Sequence, residues 1–382
     1  MTEKSFSLKN FDISPERGML ADPDPSEVVL PPKFWRLWGV MAQQIPQMIS
    51  VGHARFMIKN MPILDAYDLD DYYLPAAMRT LSFLGHTAVF SNPHKSMSSI
   101  PASVAIPWHQ VATRLGRPPI LSYASYVLDN WRRIDPEGPI KLGNIAIMQK
   151  FTKILDEAWF ILVHIGIENE AHAALLGIEH ALLAITRDEI SEVDCGLQTI
   201  AGGIEQMYET LLRMPEHCDP HIYYHEVRPF LFGWKNNPAL PDGVIYEGVK
   251  EYSGKHIQFR GETGAQSSII PALDAALGIH FSDDPLLPYL YDMRAYMPPK
   301  HRAFLEALEK GPSLRDYTRQ HRALIPSYNA CLTLLKTFRS KHLEYAREYI
   351  AKWDQSDRGT GGTPFMPYLK KHLREINDHL LS

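Results

Sequence analysis

The sequence predicts an all-α fold, a large helical bundle with a smaller helical domain ahead of it. Apolar residues recur three and four positions apart along most of the chain, which sets them on one face of a helix. Alternating apolar and polar runs bounded by tight-turn pairs are nearly absent, and no segment repeats at a fixed period. With 382 residues, 45% hydrophobic and 22% charged, the chain is long enough for two domains and has an ordinary globular balance.

Residues 1 to about 32 are rich in Pro, Asp and Ser without a sustained period, and read as an extended arm lying on the surface. Helical spacing of Trp, Leu, Met and Ile runs from Phe34 to Met61 and, after a proline break, from Ala66 to Leu84. Ser91 to Pro101 reads as a loop, and Pro107 to Arg117 as a short helix before Pro118-Pro119. The domain boundary is set near residue 117, between a small, mainly helical domain (1–117) and a large all-α domain (118–382). There, helices are expected over Ile140 to His164 and on to Ile185, over Asp188 to Met214, and over Pro220 to Val227, stopped by Pro229. Trp159 to Val163 is apolar all round, as in a helix buried mid-bundle.

A net charge of -5 without a run of Lys or Arg leaves no electrostatic footprint for nucleic acid or an anionic membrane. The three cysteines, Cys195, Cys218 and Cys331, are far apart and form no CxxC pair, which suits a reducing compartment. Met1 to Asn10 lacks an apolar signal core, and the longest apolar run, Trp159 to Ile167, is interrupted by His164 and too short to span a bilayer. A cytoplasmic protein is expected.

One helix near the C-terminus carries the first chemical signal. Tyr328, Cys331, Leu335, Phe338, Tyr345 and Tyr349 share a face between Tyr328 and Ile350, and the polar member of that stripe is His342. An imidazole in a buried seam requires a hydrogen-bond partner or a metal, and spacing leaves both open. Cys218, His221 and His225 have the spacing C-x2-H-x3-H, but Glu226 projects elsewhere on the helix and no fourth ligand follows, so no zinc site is expected. Lys352 to Pro364 is polar and glycine-rich, a flexible linker or a lid in which Gly361 and Gly362 would let Thr360 close over a ligand. It is no phosphate cradle, since no strand precedes it and no GKS or GKT follows.

Several stretches then speak together: Phe338 to Leu343 (FRSKHL), Gly359 to Thr363 (GTGGT), Arg228 to Pro238 (RPFLFGWKNNP), Gly264 to Ile279 (GAQSSIIPALDAALGI), Tyr296 to Arg302 (YMPPKHR) and Pro118 to Trp131 (PPILSYASYVLDNW). In order and spacing, over essentially the whole chain, they resemble the indoleamine 2,3-dioxygenase family. The resemblance implies haem b as cofactor. It also implies insertion of dioxygen across the indole 2,3 double bond of L-tryptophan, giving N-formyl-L-kynurenine.

The same resemblance assigns residues. His342 would be the proximal ligand of the haem iron, with Asp274 and Arg339 supporting that side; Arg339, one turn before His342, suits a haem propionate or the Asp274 carboxylate. Phe160 would lie over the haem. His164 stands where the mammalian indoleamine enzymes carry serine and where the related tryptophan 2,3-dioxygenases use histidine, and would accept a hydrogen bond from the indole NH. Arg228, in a segment otherwise made of Tyr223, Tyr224, Phe230, Leu231 and Phe232, would take the amino-acid carboxylate in a bidentate fork, aided by Thr360. Tyr223 and Tyr224 replace the family's usual two phenylalanines, and Tyr123 matches the aromatic at the back of the indole pocket. Thr263, Gly264 and Ala265 belong to a small-residue loop beside the haem; Glu262 in that loop is a departure that could meet the substrate ammonium or face solvent, and solvent is the expectation. His164, Arg228 and Thr360 form the expected catalytic set.

The resemblance favours the lid reading of residues 352–364. Expected partners are L-tryptophan or a related indole and dioxygen, with no nucleic acid and no membrane, in a monomer or weak homo-oligomer. Two other functions stay open: action on another indole derivative in secondary metabolism, and binding of haem or dioxygen without catalysis. A carboxylate clamp of Arg228 and Thr360 argues against a pure oxygen carrier.

Overall fold

The fold is built along the helix Leu155–Thr186, whose residues Ile161, Val163, Ile165, Ala171 and Ile178 are all buried. The structure, a computed structural model, describes residues 6–92, 95–280, 287–353, 359–362 and 365–382. Against the long helix lies Ile190–Leu212, and against that helix Ile325–Ala346, which runs on into a wide turn, Arg347–Ala351. Small residues set the close approach of the first pair: a Cβ on Gly203 would stand 2.4 Å from the backbone nitrogen of Ala174, and one on Gly177 2.7 Å from the carbonyl of Gly196. The all-α expectation holds, with two small sheets added.

Both sheets fall where other structure was expected. Residues 140–154 are not helical: Trp131–Arg133 pairs antiparallel with Ile145–Ile147, and the helix begins only at Leu155. Its start is fixed by Glu157, whose carboxylate accepts from the backbone N–H groups of Phe151 (2.8 Å) and Thr152 (2.7 Å). Inside the expected 91–101 loop, Ser99–Ile100 pairs parallel with Val244–Tyr246, which in turn pairs antiparallel with His256–Ile257.

The N-terminal arm corrects the surface reading, because Leu8, Ile13, Met19, Leu20 and Leu30 are buried in the core. Its backbone is tied down as well: the Leu8 N–H donates to Glu179 (2.9 Å), and Gly18, in the left-handed region at φ +62°, fits against the carbonyl of Glu168. Single apolar residues, each seated in a separate pocket, leave no period to read. The expected 34–61 helix is broken into Pro32–Phe34, a wide turn Trp35–Gly39, and Val40–Gln43, Ile45–Ser50 and Ala54–Lys59. Ala66–Asp68 and Asp71–Tyr73 are single turns capped by the side chains of Asp65 and Asp70, so the next helix is Leu74–Phe90. Pro107 lies inside the helix Ala102–Leu115 rather than at its start. The proline removes one backbone donor, while Val104, Trp108 and Val111 still bury the same face. Among the described residues no helix is long and apolar enough to cross a membrane.

Candidate active site

Three elements bring their side chains to one internal cavity of about 540 Å³: the long helix through Phe160 and His164, the Ile325–Ala346 helix through Phe338, Arg339 and His342, and the 262–265 loop. Phe160 stacks at 4.6 Å on Tyr223, and Tyr223 meets the edge of Tyr349 at 5.9 Å, giving one aromatic wall. A Cβ built on Gly264 meets nothing within 4 Å, so the backbone there borders open cavity.

The His342 ring is exposed into this cavity although protein surrounds it on every other side. Burial, with smaller contributions from His164 and Arg339, lowers its pKa to about 4, so the imidazole is neutral at physiological pH. Among the described residues nothing hydrogen-bonds it. His86 shows what a satisfied core histidine looks like in the same protein: its Nδ1 donates to the Phe230 carbonyl (2.7 Å), and its Nε2 accepts from the Leu121 N–H (3.1 Å). A neutral imidazole aimed at a cavity without such partners is a metal donor. One turn earlier, Arg339 grips Asp274 with Nη2 at 2.7 and 2.5 Å from the two carboxylate oxygens. Burial raises Asp274, and the guanidinium opposes that rise.

His164 is half-buried, and its Nδ1 lies 2.7 Å from the Phe160 carbonyl. A carbonyl only accepts, so Nδ1 carries the proton, and Nε2 is left as an acceptor. Burial lowers the His164 pKa and keeps this neutral form. Tyr123 packs edge-on to His164 at 6.1 Å behind the cavity wall, its backbone N–H fixed to the Gln266 side chain at 2.9 Å.

Arg228 is 2% exposed, with its guanidinium 5.0 Å from the ring centre of Tyr224 and 4.6 Å from that of Phe232. Neither Arg228 nor Tyr224 lines the cavity; Phe160, His164, Tyr223, Thr263, Gly264, Ala265, Asp274, Arg339, His342 and Thr360 do. Thr360 donates its hydroxyl to the backbone carbonyl of Glu262, and Gly361 accepts from Arg260 (2.8 Å). Of the expected lid, residues 354–358 and 363–364 lie outside the described residues. Cys218 is buried beneath the Tyr349 hydroxyl, while the rings of His221 and His225 lie 4.5 Å apart at the surface against Trp353, so the cysteine is separated from the histidine pair.

Glu262 overturns an expectation. It is 4% exposed and lines the cavity instead of facing solvent. Burial alone raises its carboxyl to about 8. The surrounding loop is held too tightly to turn it out: a Cβ on Gly261 would come within 2.2 Å of the Gly233 nitrogen, and the Glu262 N–H donates to Leu231 (3.1 Å). A second buried carboxyl escaped sequence reasoning. Glu168 accepts from the Ser267 hydroxyl at 2.8 Å and is raised by burial to about 7. Spacing alone does not tell Glu168 from Glu170 and Glu179 on the same helix; its partners Ser267 and Tyr123 come from distant segments.

A helical protein that offers an internal cavity the neutral imidazole of His342, which nothing among the described residues hydrogen-bonds, fits the class built around a ligated prosthetic group. Comparison with known proteins makes the class specific. The family profile described as Indoleamine 2,3-dioxygenase matches residues 7–357. The chain is 33% identical to human indoleamine 2,3-dioxygenase 2 over 97% of its length and 94% of the relative. It is 32% identical to rat indoleamine 2,3-dioxygenase 1 over 98% and 96%, and 28% identical to a protein named myoglobin from Haliotis madaka over 96% and 97%. The chain belongs to the indoleamine 2,3-dioxygenase family.

Proposed function

We propose that the protein is a haem-dependent dioxygenase that inserts both atoms of dioxygen across the indole 2,3 double bond of L-tryptophan, giving N-formyl-L-kynurenine. The observation that carries this reading is that, of the histidines lining the cavity, His342 is hydrogen-bonded by nothing among the described residues and His164 is held as an Nε2 acceptor. Enzymes of this family use haem b, which when bound supplies the activation of dioxygen. The residues present fit such a group. His342 would ligate the iron, Arg339 and Asp274 would support that side, and the open backbone at Gly264 and Ala265 leaves room for a macrocycle.

The protein's own part is orientation and exclusion of water. Nε2 of His164 takes the indole N–H and fixes the ring against the Phe160–Tyr223 wall, with Tyr123 bracing His164 from behind. Arg228 takes the carboxylate at the end of its helix turn, with the Tyr224 and Phe232 rings setting the plane of the guanidinium. Reaching Arg228 from the cavity requires movement of the neighbouring side chains, and Thr360, docked on Glu262, closes that end. We place the activity in the cytoplasm, in a monomer or weak homo-oligomer.

The match to a protein named myoglobin gives a second reading, reversible dioxygen binding without oxygenation. One experiment separates the two. Protein expressed with supplemental haem is reduced and given L-tryptophan in air, and an N-formylkynurenine-like absorbance is followed with the Soret band. Formation of product establishes the reaction; a stable dioxygen complex indifferent to tryptophan selects the second reading.

A further inference from the structure

Glu262 is a carboxylate without a counter-charge in a place prepared for a ligand. Among the described residues no hydrogen bond or ion pair reaches its side chain. Its backbone is held on both sides, the N–H by the Leu231 carbonyl (3.1 Å) and the carbonyl by the Thr360 hydroxyl. The backbone is therefore held where its side chain lines the cavity wall. The Tyr223 hydroxyl lies in the field of both Glu262 and Arg228, which act on it in opposite senses, so an acidic and a basic group flank the same aromatic wall.

We propose that Glu262 is the specificity residue that receives the ammonium of the substrate, so that this cavity selects indoles bearing a protonated amine on the side chain. The inference rests on the dioxygenase reading and deepens it. An unpaired ionised carboxylate at this depth is unfavourable, whereas a cation brought in by the ligand satisfies it with a charge-assisted hydrogen bond. Burial already raises Glu262 to about 8, as expected for a carboxyl lacking its cation. The hydroxyls of Tyr123, Tyr126 and Tyr223 feel its charge, and burial holds all three neutral; a neutral phenol is no counter-cation. Thr360 donates to the carbonyl of this same residue, so the ammonium site borders the docked Thr360.

The test compares three probes on the haem-loaded protein: L-tryptophan, tryptamine, which keeps the ammonium and lacks the carboxylate, and indole-3-propionate, which keeps the carboxylate and lacks the ammonium. Dissociation constants are read from ligand-induced shifts of the Soret band, and KM is measured where turnover occurs. In E262Q, which keeps shape and loses charge, affinity for tryptophan and tryptamine is expected to fall roughly 10- to 100-fold, the range of a hydrogen bond to a charged group. Indole-3-propionate binding stays the same or improves, and E262D retains part of the preference. Equal changes for all three probes, or none, overturn the proposal, since a structural role has no reason to sort ligands by their ammonium. Absence of product from every indole in the wild-type protein is a failure of the dioxygenase reading instead, and the binding constants still judge Glu262.

Discussion

The Nδ1 atom of His164 lies 2.7 Å from the carbonyl oxygen of Phe160, four residues earlier on the same helix. Because the acceptor is a backbone group, the tautomer is set by the helix itself. A ring nitrogen committed to accepting discriminates against an indole whose nitrogen carries a methyl group. 1-Methyltryptophan is accordingly expected to be a poor substrate, with kcat/KM at least about tenfold below that of tryptophan. His164→Ser, which removes the bulk and the fixed acceptor, is expected to narrow that ratio. An unchanged ratio in the variant takes the hydrogen-bond role away from His164.

His342 stands apart from His86 by what its ring touches, since both are neutral and deep in the protein. Replacing His342 with alanine removes no internal hydrogen bond, so the fold is expected to survive with unchanged far-UV circular dichroism while tight haem binding is lost. Exogenous imidazole should restore part of the Soret band by occupying the ligand's place. A His342→Ala protein with a normal haem spectrum would falsify the ligand assignment.

How much of this was legible in the sequence depends on what each residue had to satisfy. The Ile325–Ala346 helix and the seam Tyr328, Cys331, Leu335 and Phe338 follow from periodicity, because helix spacing and burial coincide there. The N-terminal arm is not legible because burial of isolated residues such as Leu8 and Ile13 is a tertiary event with no local signature. The antiparallel pair Trp131–Arg133 and Ile145–Ile147 was hidden for a related reason: a three-residue strand gives too few alternations to register. At the site, spacing placed His342 and Arg339 on a helix, and family likeness gathered His164, Phe160 and Asp274 around one cavity. Glu262 reads as a solvent position because glutamate in a glycine-containing loop usually is one. The close approach of Gly261 to Gly233 and the Glu262 N–H bond to Leu231 are tertiary contacts that the local sequence does not show.

Arg228 offers a test that separates recognition from support. Its guanidinium is 2% exposed and stacked between Tyr224 and Phe232, so truncation to alanine is expected to lower stability as well as affinity. Recognition of a carboxylate predicts an uneven loss: KM for tryptophan rises by about 2–3 kcal/mol of binding, some 30- to 150-fold, whereas that for tryptamine changes only a few-fold. Arg228→Lys should recover less than half of the difference, because an ammonium cannot reproduce the bidentate fork. Equal losses for both substrates would mean that Arg228 supports the fold and leaves the substrate to others.

Stability should report Glu262 through its pH dependence. Burial raises the carboxyl from 4.5 to about 8 in the folded protein, so the native state holds this proton more tightly than the unfolded chain. The stability tied to it is fully present below about pH 4.5 and is lost as pH rises toward about 8, where the buried group is forced to ionise. Glu168, raised to about 7, acts in the same direction over the lower part of that window. The ligand-free protein is thus expected to lose Tm between about pH 5 and pH 8, with Glu262→Gln flattening the profile by a contribution on the order of a few kcal/mol near pH 8. At pH 5 the two proteins should melt together, since the wild-type carboxyl is then neutral. Saturating tryptophan is expected to reverse the ranking at pH 8, where its ammonium gives the ionised wild-type Glu262 the partner that glutamine cannot use. Parallel Tm curves for wild type and Glu262→Gln, with and without tryptophan, would show that the carboxyl ionises freely in contact with water.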